Sequence, residues 1–185
     1  LHHPVRLAEE WAFVDRLSGG RTGISFASGW HQRDFVLAPD NFAHAKDVMF
    51  REIETVRKLW RGEAVTYSDG KGAPAEIRIL PRPAQAELPV WVTAAGNVET
   101  FRMAGERGFN LLTHLLGQSI EQLAGKITAY REALSASGRD PASGKITLML
   151  HTFVGSTLEQ VRETVRTPFT NYLKSSVDLI KNSPW

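Results

Sequence analysis

The chain has 185 residues, of which 42% are hydrophobic and 23% charged, the ordinary balance of a folded domain with a buried core. Its formal charge is only +2 and it contains no cysteine, so composition excludes disulfides and thiolate chemistry and gives no support to nucleic-acid binding. No apolar run has the length of a membrane span and the first residues do not resemble a signal peptide, so we expect a cytoplasmic protein without membrane contact.

The first half of the chain is predicted to contain two helices, a strand and a hairpin. Pro4 suits the first turn of a helix, and the apolar residues after it recur with the helical period until Gly19 ends the pattern. The predicted elements of this half are a helix over 4–17, a strand over 21–27, a loop over 28–40, a helix from Asp40 or Asn41 to about Arg61, and a hairpin that pairs 65–67 with 77–79 across the 69–72 turn.

The second half alternates strands and helices after a proline-rich connector. Its predicted elements are strands over 90–93, 109–113 and 146–154, and helices over 98–107, from Ser119 to near Ser137, and from Thr157 onward. Strands joined by helices form a parallel sheet, so the fold class is α/β. Two architectures remain open, a doubly wound sheet and part of a (β/α)8 TIM-type barrel. The barrel is only a partial one, because four main strands are too few to close it.

The turn after the strand over 90–93 is the most informative candidate site. Thr93 ends the strand, the small residues Ala94, Ala95 and Gly96 follow, and Asn97 precedes a helix. Small residues let a ligand approach the backbone, and the free amides at a helix start favour an anion. The residues are equally those of a tight turn that binds nothing, so a phosphate site and a plain turn both remain possible.

A second candidate lies at the end of the strand over 21–27. Ser25, Ala27, Ser28 and Trp30 combine small residues with an aromatic ring, and together they can line one wall of a pocket for a planar cofactor. The alternative is a loop in which Trp30 fills a hydrophobic gap. His31 is the best candidate for a polar contact in the site, but no residue pattern assigns a catalytic role, and the histidine spacing does not match a metal site.

Three segments carry a resemblance to a known family. The stretch 15–21 (DRLSGGR), the helix end 54–60 (ETVRKLW) and the strand with its turn 90–96 (VWVTAAG) resemble the luciferase-like monooxygenase superfamily. These segments are most similar to those of the branch found with natural-product synthases, and the resemblance covers almost the whole chain.

The resemblance implies a (β/α)8 barrel that uses reduced FMN and O2 to oxidise a small organic substrate, with a flavin reductase as the source of reduced FMN. It implies that the flavin phosphate lies near Ala95, Gly96 and Asn97, and that the strand end from Ser25 to Trp30 helps to form the ring pocket. Two alternatives remain: a relative that uses the deazaflavin F420, and a non-catalytic flavin-binding or structural barrel protein.

Length is where the chain departs from the family. We expect residues 1–185 to form a single domain that carries roughly the central four βα units of the barrel and lacks its first and last units. An incomplete barrel has unpaired strand edges and exposed apolar surface, which favour association, so we expect a homodimer.

Overall fold

The computed structural model describes residues 2–181, with side chains described for residues 2–176. The helices are α1 (Pro4–Ser18), α2 (Ala45–Arg61), α3 (Val98–Arg107), α4 (Ile120–Ala136) and α5 (Leu158–Lys181). The strands are β1 (Ile24–Phe26), β2 (Val65–Ser68), β3 (Pro74–Ile77), β4 (Val90–Thr93), β5 (Asn110–His114) and β6 (Ile146–Met149). In this part of the chain, no helix combines the length and the apolar character needed to cross a membrane.

Four strands form one parallel sheet in the order β1-β4-β5-β6. Its register places Ser25 opposite Trp91 and Leu112 opposite both Thr93 and Thr147. Each strand of this sheet is followed by a connection that contains a helix. The strands keep their sequence order without a reversal, which is the order of an arc of a (β/α)8 barrel and not of a doubly wound sheet. The prediction of a partial barrel is confirmed.

The two outer strands of the sheet are shorter than predicted. β1 covers Ile24–Phe26 where the sequence predicted 21–27, and β6 ends at Met149 where the prediction ran to 154. Each of these strands pairs with only one neighbour in the described structure. An outer strand has no second row of hydrogen bonds to hold its ends, so the apolar pattern overestimates its length.

The hairpin of β2 and β3 is separate from the main sheet. Its existence is confirmed, but its predicted second strand is wrong: β3 starts at Pro74 and ends at Ile77, which pairs with Val65. The Asp69 carboxylate accepts two backbone amides inside the turn, at 2.8 and 2.9 Å, which closes the turn just before Pro74. Ile79, assigned by its apolar pattern to the strand, is fully buried in the core instead.

The helix ends follow the residues that satisfy their free backbone groups. Asn97 and Ser119 cap α3 and α4 with their side chains, and Ser119 forms a capping box with Gln122, so the predicted cap of α4 is confirmed. The predicted start of α2 at Asp40 or Asn41 is too early, because Pro39–His44 forms a 3-10 helix and the α-helix begins at Ala45.

The core lies between the sheet and its helices. Side chains alternate along a strand, so one face of the sheet packs on the helices while the other faces away from them. The buried apolar residues that join the two layers include Ile53, Leu59, Trp60, Val90, Val92, Phe101, Leu111, Tyr130 and Leu134.

Asp15 is a fully buried carboxylate beside this core. Its Oδ1 accepts hydrogen bonds from Thr22 Oγ1 and Gln85 Nε2, both at 2.7 Å, and its Oδ2 accepts from the backbone amides of Ala84 and Gln85, both at 2.8 Å. Burial by itself raises the pKa of Asp15, but the hydrogen bonds outweigh it and hold the pKa below its ordinary value. The carboxylate therefore ties the end of α1 to the connector that leads into β4.

Apolar side chains are exposed next to the outer strand β6. They are Leu148, Met149, Leu150, Phe153 and Val154. The expectation of an incomplete barrel led us to predict exposed apolar surface at a strand edge, and the described residues contain such a surface. The homodimer stays a prediction.

Candidate functional site

The sheet face that points away from the helices carries polar and aromatic side chains. Ser25 of β1 and Thr93 of β4 lie side by side on this face, with their hydroxyl oxygens 2.8 Å apart. The indole Nε1 of Trp91 donates to Thr147 Oγ1 at 3.2 Å, and this bond spans β5, which lies between β4 and β6. Ser25 and Thr93, predicted as site residues from two separate stretches, are thus brought into contact.

The turn after β4 offers backbone amides at the start of α3. Asn97 caps the helix, and its Oδ1 accepts the Glu99 amide at 2.8 Å. Among the described residues, the amides of Gly96 and Asn97 have no hydrogen-bond partner. The side chain of Ala94, in contrast, is buried, and its amide donates to Leu112 O at 3.0 Å. The groups available to a ligand at this turn therefore come from residues 95–97, at the positive end of the helix dipole.

The loop after β1 is organised by Asp34. The carboxylate Oδ2 accepts the backbone amides of Trp30 at 2.9 Å and His31 at 2.8 Å, and these bonds hold the pKa of Asp34 below its ordinary value. Gly29 has a φ of 92° and sits against the ring of Phe35, where an added Cβ would lie 2.6 Å from the ring. The loop needs glycine at that position for both reasons.

His31, expected to make a polar contact in the site, uses part of its hydrogen-bonding capacity within this loop. Its Nδ1 accepts the Arg33 amide at 3.1 Å, and with Asp34 it completes a capping box at the start of a short 3-10 helix. The His31-x-x-Asp34 spacing is that of a capping box, with a histidine in place of serine or threonine and an aspartate in place of glutamate or glutamine. Asp34 itself was missed by the sequence reasoning.

His114 ends β5 and stands on the same sheet edge as Thr93. Its Nδ1 accepts the Leu116 amide at 3.1 Å, so in the neutral ring the proton is on Nε2. Burial lowers the pKa of His114, which favours that neutral form. Sequence reasoning did not select this histidine, since its position near a strand carried no spacing signal.

Lys126 on α4 reaches back to the turn after β4. Its Nζ donates to Ala95 O and to Gln118 Oε1, both at 2.7 Å, and burial lowers the pKa of its ammonium group. The side chain of Gln118 in turn donates to the carbonyl of His114. The turns after β4 and β5 are therefore joined through one lysine that the sequence reasoning also missed.

Two cavities lie beside the end of β1. The larger, of about 500 Å³, is bounded by α1, α2 and β1 and includes Ser25, Ala27 and Ser28 in its wall. The second, of about 420 Å³, is lined by Ser28, Trp30 and the start of α2. The predicted residues of the β1 end thus border open space, whereas the turn over 94–97 lines neither cavity and connects to them through the contact between Ser25 and Thr93.

The strand order defines part of a (β/α)8 barrel. The polar groups described above lie at the carboxyl ends of its strands, the end at which (β/α)8 barrels bind their ligands. Residues 1–182 match the family model described as luciferase-like monooxygenase. The chain belongs to this family.

Curated relatives include two cofactor types. The chain is 29% identical over 178 residues to the oxygenase component of a flavin-dependent trigonelline monooxygenase of Acinetobacter baylyi, covering 92% of this chain and 48% of the relative. It is 25% identical over 145 residues to an F420-dependent hydroxymycolic acid dehydrogenase of Mycobacterium tuberculosis, covering 77% of this chain and 39% of the relative. The chain thus spans about half or less of the length of these relatives, and the family is one of oxidoreductases.

Solved structures share the fold. Monooxygenase RslO1 from Streptomyces bottropensis matches with a TM-score of 0.78 and 22% identity, covering 96% of this chain and 55% of that protein. The oxygenating constituent of 3,6-diketocamphane monooxygenase from Pseudomonas putida, solved in complex with FMN, matches with a TM-score of 0.73 and 20% identity, covering 93% of this chain and 52% of that protein.

Proposed function

We propose that this chain forms the central part of a flavin-dependent monooxygenase that uses reduced FMN and O2 to oxidise a small organic substrate. The observation that carries the proposal is the contact between Ser25 and Thr93, which joins the two predicted cofactor-binding segments on one open sheet face. Membership of the luciferase-like monooxygenase family supports the reaction class.

The described residues fit an FMN phosphate at the turn after β4. The unpartnered amides of Gly96 and Asn97 are hydrogen-bond donors at the positive end of α3. Such a position favours an anion by about 0.3–1 kcal/mol, and by up to about 2 kcal/mol where it is partly buried. Glu99 in the first turn of α3 opposes a phosphate by its charge, so the attraction rests on the backbone donors and not on side-chain charge.

In this proposal the flavin ring lies beside Ser25 and Thr93 on the sheet face and beside Ala27, Ser28 and Trp30 of the loop after β1. The hydroxyl groups of Ser25 and Thr93 bond to each other, and each retains capacity for a further hydrogen bond to a polar ring edge. When bound, reduced flavin supplies the reaction with O2, while the protein orients the ring and limits access of water. The organic substrate, and a reductase that supplies reduced flavin, belong to the same proposal.

The test compares FMN with riboflavin, which lacks the phosphate, by fluorescence titration of the protein expressed from its complete gene. Gly96→Glu adds bulk and a negative charge beside the unpartnered amides, so we expect FMN affinity to fall at least about tenfold, or about 1.4 kcal/mol, with a smaller loss for riboflavin. Gly70→Glu is the matched control, because it makes the same change in the hairpin turn, where an added Cβ meets nothing within 4 Å.

Three results are informative. A loss confined to FMN supports a phosphate at this turn. An equal loss for FMN and riboflavin means that the turn supports the pocket without holding the phosphate. Unchanged FMN binding in Gly96→Glu places the phosphate elsewhere.

The alternative is an F420-dependent oxidoreductase, favoured by the similarity to the mycobacterial dehydrogenase. Titration of the same protein with F420 separates the two functions, because the proposed monooxygenase binds FMN more tightly than F420. Tighter binding of F420, together with reduction of F420 by an alcohol substrate, would replace the proposal by this alternative.

A further inference from the structure

The ammonium group of Lys126 is held at the turn after β4 by two acceptors. One is the carbonyl of Ala95 and the other is Oε1 of Gln118, each at 2.7 Å. Gln118 is itself fixed, since its Nε2 donates to the carbonyl of His114 and lies 3.4 Å from Thr113 Oγ1. The lysine is therefore anchored from the end of β5 while it holds the end of β4.

This contact sets the direction of one peptide group. The bond between Ala95 and Gly96 is trans, so the carbonyl of Ala95 and the amide of Gly96 point in opposite directions. With the carbonyl drawn to Lys126, the amide is directed away from the ammonium group. Among the described residues, Lys126 is the hydrogen-bond partner of the Ala95 carbonyl and the Gly96 amide has none, so the lysine supplies the hydrogen bond that fixes this peptide group.

We propose that Lys126 is a positioning residue that fixes the peptide group between Ala95 and Gly96 so that its amide donates to the phosphate of the flavin, and thereby sets the preference for FMN over unphosphorylated flavin. The inference rests on the proposed function, since it assumes that the phosphate binds at this turn. Lys126 acts through the backbone and through its positive charge, which offsets part of the negative charge that a phosphate brings to the site.

The hydrogen bonds and the unpaired charge of Lys126 agree with this role. Its Nζ has three donors, and two of them are used by the carbonyl of Ala95 and the side chain of Gln118. Among the described residues, no carboxylate forms an ion pair with it. Its charge is therefore not neutralised by a neighbouring acid, and it acts on a bound anion through space, from the other side of the peptide group.

The experiment uses Lys126→Met and Lys126→Arg in the protein expressed from its complete gene, with FMN and riboflavin titrated side by side. Lys126→Met removes both hydrogen bonds and the charge, and we expect FMN affinity to fall about tenfold while riboflavin affinity stays within about twofold. Lys126→Arg keeps a cationic donor and should restore most of the preference for FMN. Lys58→Met, an exposed lysine on α2, is the matched control and should leave both affinities unchanged.

A second variant keeps the test decisive if Lys126→Met does not fold. Gln118→Met removes one anchor of the ammonium group and leaves the charge in place, so FMN affinity should fall about threefold without a matching loss of riboflavin. Equal losses for the two flavins, or no loss for either, would overturn the positioning role.

Comparison with Gly96→Glu separates this inference from the proposed function. If Gly96→Glu weakens FMN selectively and Lys126→Met does not, the phosphate site stands and the role of Lys126 is wrong. If neither variant changes the ratio of FMN to riboflavin affinity, the phosphate site itself is wrong.

Discussion

Replacement of Asp15 by asparagine is the sharpest test of how the end of α1 is held. The carboxylate is fully buried and accepts four hydrogen bonds, two on each oxygen. An asparagine keeps one acceptor oxygen and places an NH2 group where the other oxygen was. If that group replaces Oδ2, it meets the backbone amides of Ala84 and Gln85, which cannot turn away.

The cheaper arrangement places the NH2 group where Oδ1 was. The hydroxyl of Thr22 can then rotate and accept, but Gln85 Nε2 remains a donor that faces a donor. Rotation of the Gln85 amide would sacrifice its 2.9 Å bond to Thr22 O. One buried donor without a partner costs about 1–3 kcal/mol, and the bonds that remain lose their charge assistance, so Asp15→Asn should destabilise the protein by about 2–4 kcal/mol.

Urea unfolding at pH 7 measures this loss as a lower midpoint with an unchanged slope. Asp69→Asn is the matched control, because Asp69 also accepts two amides but lies exposed in the hairpin turn, and its replacement should cost less than about 0.5 kcal/mol. A loss below about 0.5 kcal/mol for Asp15→Asn as well would refute the argument from buried donors.

The pH dependence gives a second check on Asp15. Its pKa is lower in the folded protein than in the unfolded chain, so its stabilisation is complete above the unfolded value of about 3.9 and is lost as the pH falls through the folded value. Asp15→Asn lacks this titration. The stability difference between the wild type and the variant should therefore shrink below about pH 4, and a difference that stays constant to lower pH would contradict the assignment.

Two further predictions concern α3. Gly105→Ala should destabilise the protein by about 1–3 kcal/mol in urea unfolding, because an added Cβ would lie 2.5 Å from the Tyr130 carbonyl where α3 crosses α4. The control is Gly125→Ala, in open space on α4, which should be neutral or stabilising. Equal effects of the two substitutions would argue against a close crossing. Glu99→Gln removes the acid from the first turn of α3 and should strengthen FMN binding about two- to fivefold without affecting riboflavin, whereas an equal gain for both flavins would argue against a phosphate there.

The sequence was sufficient where local pattern and global fold agree. The strand over 90–93, with apolar residues flanked by proline and small residues, is found at Val90–Thr93 as predicted. The contact between Ser25 and Thr93 was also within reach, because parallel strands that neighbour each other bring their carboxyl ends to one edge of the sheet. Position along a strand then decides which side chains share a face.

The sequence was insufficient where a role depends on a partner far away in the chain. Asp15 belongs to the stretch that carried the family resemblance, but its function as an acceptor requires Gln85, 70 positions later. Lys126 resembles any lysine on an amphipathic helix until α4 is placed beside the turn at Ala95, 31 positions earlier. Nothing in the residues near either side chain specifies these distances.

Short-range hydrogen bonds give two residues predicted at the site a structural role that the sequence reasoning did not include. His31 caps the loop that Asp34 organises, and Asn97 caps α3 through the amide of Glu99. At the turn after β4, the amides of Gly96 and Asn97 have no hydrogen-bond partner among the described residues, whereas Asp34 accepts the amides of Trp30 and His31. The backbone is therefore the better candidate for ligand contact at the turn after β4, and the ligand contacts of the His31 and Asn97 side chains stay predictions.

We expect the amino end of the sheet to serve stability and the carboxyl end to serve ligand binding, and urea unfolding and flavin titration should distinguish the two roles. Asp15, at the end of α1, and Gln85, in the connector before β4, lie at the amino ends of β1 and β4, whereas Ser25, Thr93 and Lys126 lie at or beside the carboxyl ends. In (β/α)8 barrels the amino end serves stability and the carboxyl end serves ligands. Substitution of Asp15 should therefore lower the urea midpoint without changing the ratio of FMN to riboflavin affinity, and substitution of Lys126 should change that ratio at a small cost in stability. If each substitution changes both the urea midpoint and the ratio of FMN to riboflavin affinity, the turn after β4 and the hydrogen bonds of Asp15 are coupled through the short strands between them.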